Sequence, residues 1–101
     1  MRVRMIFALI VAGLIALGAA NAWADAAEDF KRGKEAFNTG QFEAAMTWYR
    51  KAAEAGSAPA QFKLGNAYSE GTGVAQDYAE ALKWFHKAAD QGYARAQTSL
   101  G

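Results

Sequence analysis

The feature that most constrains this chain is an internal repeat. When residues 45–65 are aligned with residues 81–101, 36 positions later, 11 of 21 positions are identical. Other positions keep their chemical character, as where Tyr49 pairs with Phe85. A fixed period of this size is the signature of supersecondary units that stack on their neighbours. The sequence therefore predicts a stack of similar units.

Each unit contains two predicted helices, because apolar residues recur at spacings of three and four. We predict five helices. The first opens at Asp25 as N-cap, with Glu28 completing a capping box; the second covers 41–55; and the third is capped by Ser57 and has Pro59 in its first turn. The fourth covers 77–91, with a capping box of Asp77 and Glu80, and the fifth covers 94–101. No strand-like alternation follows the first 24 residues. The fold class is therefore predicted to be all-α.

The predicted inward faces combine small and aromatic residues. They are Phe42, Ala45, Met46, Tyr49, Ala52 and Ala53 in the second helix; Ala60, Leu64, Ala67 and Tyr68 in the third; and Tyr78, Ala81, Leu82, Phe85, Ala88 and Ala89 in the fourth. Small residues let neighbouring helices approach, and the aromatic rings fill the remaining space.

The first 24 residues have the pattern of a secretory signal peptide. A head with two arginines precedes the apolar core Met5–Gly18, and Ala22 and Ala24 are small residues at the cleavage-determining positions. We predict cleavage after Ala24 and export to the periplasm or beyond; a cut after Ala22 would shift the start by two residues. The alternative is a retained membrane anchor, because the uncharged run Met5–Ala24 approaches the roughly 20 residues of a spanning helix.

The composition of the predicted mature chain excludes some functions. With 24 residues removed from 101, 77 remain, and they carry nine basic and ten acidic residues, a net charge of −1. This balance lacks the basic face that nucleic-acid binding requires. The chain has no cysteine, so no disulfide stabilises it. After cleavage we expect no association with a membrane.

The residues of the second unit match a longer pattern. Residues 58–74 read Ala-x-Ala-x-x-x-Leu-Gly-x-x-Tyr-x-x-Gly-x-Gly-Val, and the pattern continues through Asp77, Ala81, Trp84, Ala88, Ala89 and Gly92. This stretch resembles the Sel-one-like repeat (SLR), a branch of the tetratricopeptide superfamily. Residues 25–57 depart from it, because the shorter turn Thr39-Gly40-Gln41-Phe42 replaces the glycine-valine link, and they look like a plain tetratricopeptide helix pair.

The resemblance implies a short right-handed α-solenoid of antiparallel helix pairs. Its divisions would be a signal peptide over 1–24, a tetratricopeptide-like pair over 25–57, a Sel-one-like repeat over 58–93 and an incomplete further repeat over 94–101. Family members bind partners in a concave groove lined by the first helix of each pair. The family register gives groove candidates, of which Asn66 is the strongest because an amide both donates and accepts: Lys34, Phe62, Asn66 and Ser69. The same register includes Phe30 and Phe37, which we expect to be core residues.

The sequence indicates no catalytic, cofactor or metal site. His86 is the only histidine, and its counterpart Arg50 in the earlier unit suggests a solvent-facing position. The glycines of residues 71–73 lack the lysine of a phosphate-binding loop, and helix termination explains them.

Three classes of function remain: an exported non-catalytic scaffold for protein or peptide partners, a secreted hydrolase of β-lactam-binding type, and a membrane-tethered adaptor. The hydrolase is disfavoured because the family members of β-lactam-binding type carry paired cysteines, and this chain has no cysteine.

Residues 94–101 begin a repeat without completing it. We therefore expect either a longer array or an open end that docks on another protein or a second copy, with this segment frayed in an isolated monomer.

Overall fold

A computed structural model describes residues 24–100, which form five helices. These are α1 over residues 24–38, α2 over Phe42–Glu54, α3 over Ala58–Glu70, α4 over Tyr78–Asp90 and α5 over Ala94–Leu100. Residues 24–100 contain no strand, and α2 to α5 pack in chain order, each against the next. The prediction of an all-α solenoid is confirmed.

Asp25 lies within α1, although the sequence predicts it as the N-cap of the mature chain. Residues 24 and 25 are both helical, whereas an N-cap has non-helical backbone angles. Asp25 is therefore not an N-cap here, because the helix already includes Ala24. Ala24 is exposed, while the other predicted cleavage residue, Ala22, lies outside the described residues together with the rest of 1–23.

Both helices of the second repeat, α3 and α4, begin at capping side chains. Ser57 Oγ accepts a hydrogen bond from the Ala60 N–H at 3.3 Å, and a proline follows in the first turn of α3. Asp77 Oδ1 accepts from the Glu80 N–H at 3.1 Å. The predicted capping box at Asp77 is only half formed, because the Asp77 N–H donates to the Tyr68 carbonyl at 2.8 Å instead.

The two helices of each repeat meet in the same way, with a glycine of the first helix facing an aromatic ring of the second. A Cβ added at Gly33 of α1 would lie 2.5 Å from the Tyr49 ring of α2, and a Cβ at Gly65 of α3 would lie 2.5 Å from the Phe85 ring of α4. Glycine thus leaves a notch in each first helix, and an aromatic ring from the second helix occupies it. Tyr49 and Phe85 are accordingly buried, as predicted.

Three residues of the predicted inward faces are exposed instead. Phe42 is 41% exposed, Leu82 51% and Tyr78 64%. In α4 the buried aromatic next to Phe85 is Trp84, which joins the core of α2 and α3. Helical spacing identified the apolar face of α4 correctly at Ala81 and Phe85, but part of that face has no neighbouring helix or link among the described residues.

Candidate functional site

A cleft opens where α1, α2 and α3 meet. Its volume is about 110 Å³, and it is lined by Phe37, Met46, Tyr49, Lys63, Asn66, Ala67, Glu70 and Thr72. Met46 and Tyr49 are almost completely buried and provide an apolar lining. Burial raises the pKa of the Tyr49 phenol above its ordinary value, because desolvation disfavours the charged phenolate.

One face of α3 supplies the polar lining. Lys63, Asn66 and Glu70 are spaced by three and four residues, which places them on one side of the helix. Lys63 and Asn66 are half-buried, and Glu70 is exposed. The cleft therefore presents a cation, an anion and an amide side by side. An amide can donate to a carbonyl and accept from an N–H, which is the pairing that a peptide backbone offers.

An exposed aromatic pair lies beside the cleft. The rings of Phe37 in α1 and Phe42 in α2 meet edge to face, with their centroids 5.0 Å apart, and each side chain is 41% exposed. The expectation that Phe37 belongs to the core is wrong, because it lies in the last turn of α1, where the turn to α2 leaves its ring uncovered. Phe42 also lines a wider depression of about 450 Å³ with Gly40, Gln41, Glu43, Ala44 and Gly73.

The predicted groove residues do not all gather at this cleft. Asn66 lines it, but Lys34 is exposed with its Nζ 5.0 Å from the centre of the Phe30 ring. Phe62 packs against the rings of Phe85 and Tyr93, at centroid distances of 5.7 and 5.4 Å. Ser69 is half-buried, and its carbonyl accepts a hydrogen bond from the side chain of Gln76 at 2.9 Å.

Sequence reasoning missed Lys63 and Glu70. Their helical spacing around Asn66 was the signal that could have identified them. Residues 24–100 hold no cluster of three or more histidine, cysteine or acidic side chains that could bind a metal ion. Over the same residues, none of the helices has both the length and the apolar character needed to cross a bilayer.

Comparison with known proteins shows that one family model matches this chain. The profile of the Sel1 repeat matches residues 37–57 and 58–93, which is more than half of the chain. Among solved structures, a Sel1 repeat protein from Oxalobacter formigenes is 39% identical, with a TM-score of 0.68 over 74% of this chain and 32% of that one. A protective antigen of uropathogenic Escherichia coli strains that displays an SLR fold is 40% identical, with a TM-score of 0.71 over 75% of this chain and 17% of that one.

A similar sequence also occurs in a protein named for a cellular role. The exopolysaccharide production negative regulator of Rhizobium leguminosarum bv. viciae is 46% identical over 52 residues, which cover 52% of this chain and 20% of the regulator. The chain thus spans about a sixth to a third of the length of these similar proteins.

Proposed function

Because the chain belongs to the Sel1 repeat family, we propose that it is a non-catalytic scaffold that binds a segment of a partner protein at the cleft between α1, α2 and α3. Proteins with Sel1 repeats generally mediate protein–protein interaction. The observation that carries the proposal is the exposed pair Phe37 and Phe42, which adjoins a cleft with both apolar and hydrogen-bonding walls.

The size of the cleft favours a peptide over a small molecule. Pockets for small molecules and cofactors usually measure about 300–1,000 Å³. The cleft of about 110 Å³ is smaller than that and has room for one side chain. In the proposed complex an apolar side chain of the partner enters the cleft against Met46 and Tyr49, and Asn66 bonds the partner's backbone beside it.

The aromatic pair would extend this contact. Exposed aromatic rings that become fully desolvated on binding are frequent hot spots, and their truncation costs about 2 kcal/mol or more. A partner segment that continues from the cleft toward the α1–α2 turn covers Phe37 and Phe42. We include Lys34, Phe62 and Ser69, the other groove candidates, as secondary positions on the α1 and α3 surfaces.

Selection from a display library of random peptides tests this proposal. We expect enriched peptides to share an apolar anchor, and Phe37→Ala or Asn66→Ala in the chain to weaken their binding at least tenfold. Ser99→Ala, an exposed change on α5, is the matched control and should leave binding unchanged. Peptides that bind equally well to all three variants would refute binding at this cleft.

We also propose that the scaffold acts outside the cytoplasm, after removal of residues 1–24 as a signal peptide. In this proposal residues 25–57 and 58–93 are the two helix pairs of the mature protein, and 94–101 begin a third. Its partner is a protein or peptide rather than nucleic acid, and no cofactor takes part. The support is the basic head, the apolar core and the small residues at Ala22 and Ala24.

A further inference from the structure

A second pocket lies on α2, beside the α3–α4 link of residues 71–77. Its volume is about 300 Å³, and it is lined by Glu43, Met46, Thr47, Arg50, Gly73 and Val74. It shares Met46 with the cleft described above, and its other lining residues are different. Pockets that hold small molecules begin at about this volume. We call it the α2 pocket.

The α3–α4 link forms one wall of the α2 pocket. Gly73 has a positive φ of 73°, and a Cβ there would lie 2.5 Å from the Phe42 carbonyl oxygen and 3.0 Å from the Met46 side chain. The link therefore lies directly against α2, an approach that only glycine allows. Val74 packs against the core, and Met46 is only 4% exposed. These two side chains give the pocket an apolar floor.

Two opposite charges lie at the ends of the α2 pocket. Glu43 and Arg50 are seven residues apart on α2, which places them on the same side of the helix and about 10 Å apart along its axis. Thr47 lies between them on that side. Among residues 24–100, neither Glu43 nor Arg50 forms an ion pair with another side chain. Both charges are therefore available to a ligand.

Contacts with α3 hold the Arg50 guanidinium in place. It donates a hydrogen bond to the Tyr68 hydroxyl and lies over the same ring, with its Cζ 5.6 Å from the ring centre. Toward the other end of α2, buried Gln61 of α3 donates from Nε2 to the Ala53 carbonyl at 3.1 Å. These two bonds fix α2 against α3. A guanidinium has five N–H donors, so others remain to bind a carboxylate through two parallel bonds.

These groups define the chemistry of a ligand. The Thr47 hydroxyl donates to the Glu43 carbonyl at 3.2 Å, so its lone pairs can accept an N–H between the two charges. A chain of three amino acids supplies such an N–H and spans about 10 Å when it is extended. At neutral pH its two ends are an ammonium group and a carboxylate.

We infer that the α2 pocket binds a free peptide of about three residues, with its carboxylate on Arg50 and its ammonium group on Glu43. The first turn of α2 places a positive partial charge beside Glu43, which weakens the attraction for the ammonium group. The carboxylate end therefore contributes more to binding. A segment inside a protein chain has no free ends, so this ligand differs from the partner segment proposed for the cleft.

Tri-alanine is the probe, and Val74 is the reporter. Val74 is the one valine after residue 24, and the substitution Val74→Ile identifies its methyl signals in the full chain labelled at valine. We expect tri-alanine to shift these signals with a dissociation constant of about 1 mM or lower, given the ordinary binding efficiency of a ligand of this size. Amidation of the peptide carboxylate should weaken binding at least tenfold, and acetylation of its amine at least threefold.

Two variants of the chain test the charged ends. Arg50→Gln should weaken binding at least tenfold, and circular dichroism shows whether this variant keeps its fold without the bond to Tyr68. Glu43→Gln is an exposed change that preserves the side-chain shape. It should weaken the binding of tri-alanine at least threefold and leave the binding of the acetylated peptide unchanged. Glu54→Gln, the same change at the exposed end of α2, is the matched control and should have no effect.

Four results would overturn this assignment. The first is the absence of any shift at Val74 up to tenfold above the expected dissociation constant. The second is equal binding of tri-alanine to the parent chain and to Glu43→Gln. Weakening by amidation but not by acetylation would refute a free peptide in favour of the C-terminal carboxylate of a protein. Loss of binding in Phe37→Ala, which should otherwise bind tri-alanine like the parent, would move the peptide to the cleft.

Discussion

The notch at Gly65 allows a quantitative test of how the helices pair. Substitution of Gly65 by alanine places a Cβ 2.5, 2.6 and 3.0 Å from three carbons of the Phe85 ring, where ordinary contacts are 3.4–4 Å. The ring has little room to retreat, because it is 8% exposed and packs on Phe62 at a centroid distance of 5.7 Å. The ring or α3 must therefore shift by about 1 Å, and we expect the change to destabilise the fold.

Two opposing terms set the magnitude. Overpacking a core costs about 1–3 kcal/mol. Alanine is favoured over glycine in a helix interior by about 1 kcal/mol, which offsets part of that cost. We expect Gly65→Ala to lower the free energy of unfolding by up to about 2 kcal/mol. For a domain of 60–100 residues each kcal/mol corresponds to about 4–8 °C in melting temperature.

A double-mutant cycle separates the two terms. In a Phe85→Leu background the flexible branched side chain can turn away, so adding Gly65→Ala should raise stability by about 1 kcal/mol. The coupling between the two positions is then about 1–3 kcal/mol. Urea unfolding followed by circular dichroism measures all four proteins. If Gly65→Ala stabilises the unmodified chain as much as it stabilises the Phe85→Leu variant, the contact is not tight and the reasoning fails.

Three further predictions address other parts of the chain. Because burial raises the pKa of Tyr49, the phenol ionises first in the unfolded chain above pH about 10, and the stability of the fold falls there. The urea midpoint of Tyr49→Phe should therefore fall less steeply between pH about 9 and 11 than that of the parent protein. Equal slopes would contradict this. Ala24→Arg should block signal processing in an exporting cell, and a mature N-terminus at Asp25 in that variant would show the cleavage site to be misassigned. In an isolated monomer the amides of α5 should exchange much faster with deuterium than those of α4, because a helix of 7 residues is marginal alone; equal protection at Ala96 and Phe85 would be evidence against fraying.

The repeat period predicted the fold well because it reports long-range geometry. Equivalent residues occupy equivalent environments, and so the burial of Tyr49 implied that of Phe85. The errors at Tyr78 and Leu82 share one physical cause. Periodicity shows that a helix has an apolar face, but it does not show whether a neighbour covers all of that face.

The cleft was harder to predict than the fold. Asn66 followed from the family register, yet Lys63 and Glu70 beside it are common residues for any solvated helix. Phe37 was assigned to the core because aromatic residues at helical spacing are usually buried. Its exposure depends on the direction in which the chain turns between α1 and α2, which no local pattern in the sequence specifies.

The buried side chain of Gln61 has a consequence for the curvature of the solenoid. Apolar surfaces of alanine and leucine tolerate sliding, since hydrophobic burial is non-directional. The hydrogen bond from the buried Gln61 amide to the Ala53 carbonyl of the preceding helix does not, because loss of its partner would leave a buried donor unsatisfied at a cost of about 1–3 kcal/mol. The offset between the first and second helix pairs is thus fixed by one directional bond. Replacement of Gln61 by leucine would keep the volume roughly constant while freeing that offset, and the superhelical pitch rather than the stability of each pair would be the property to change.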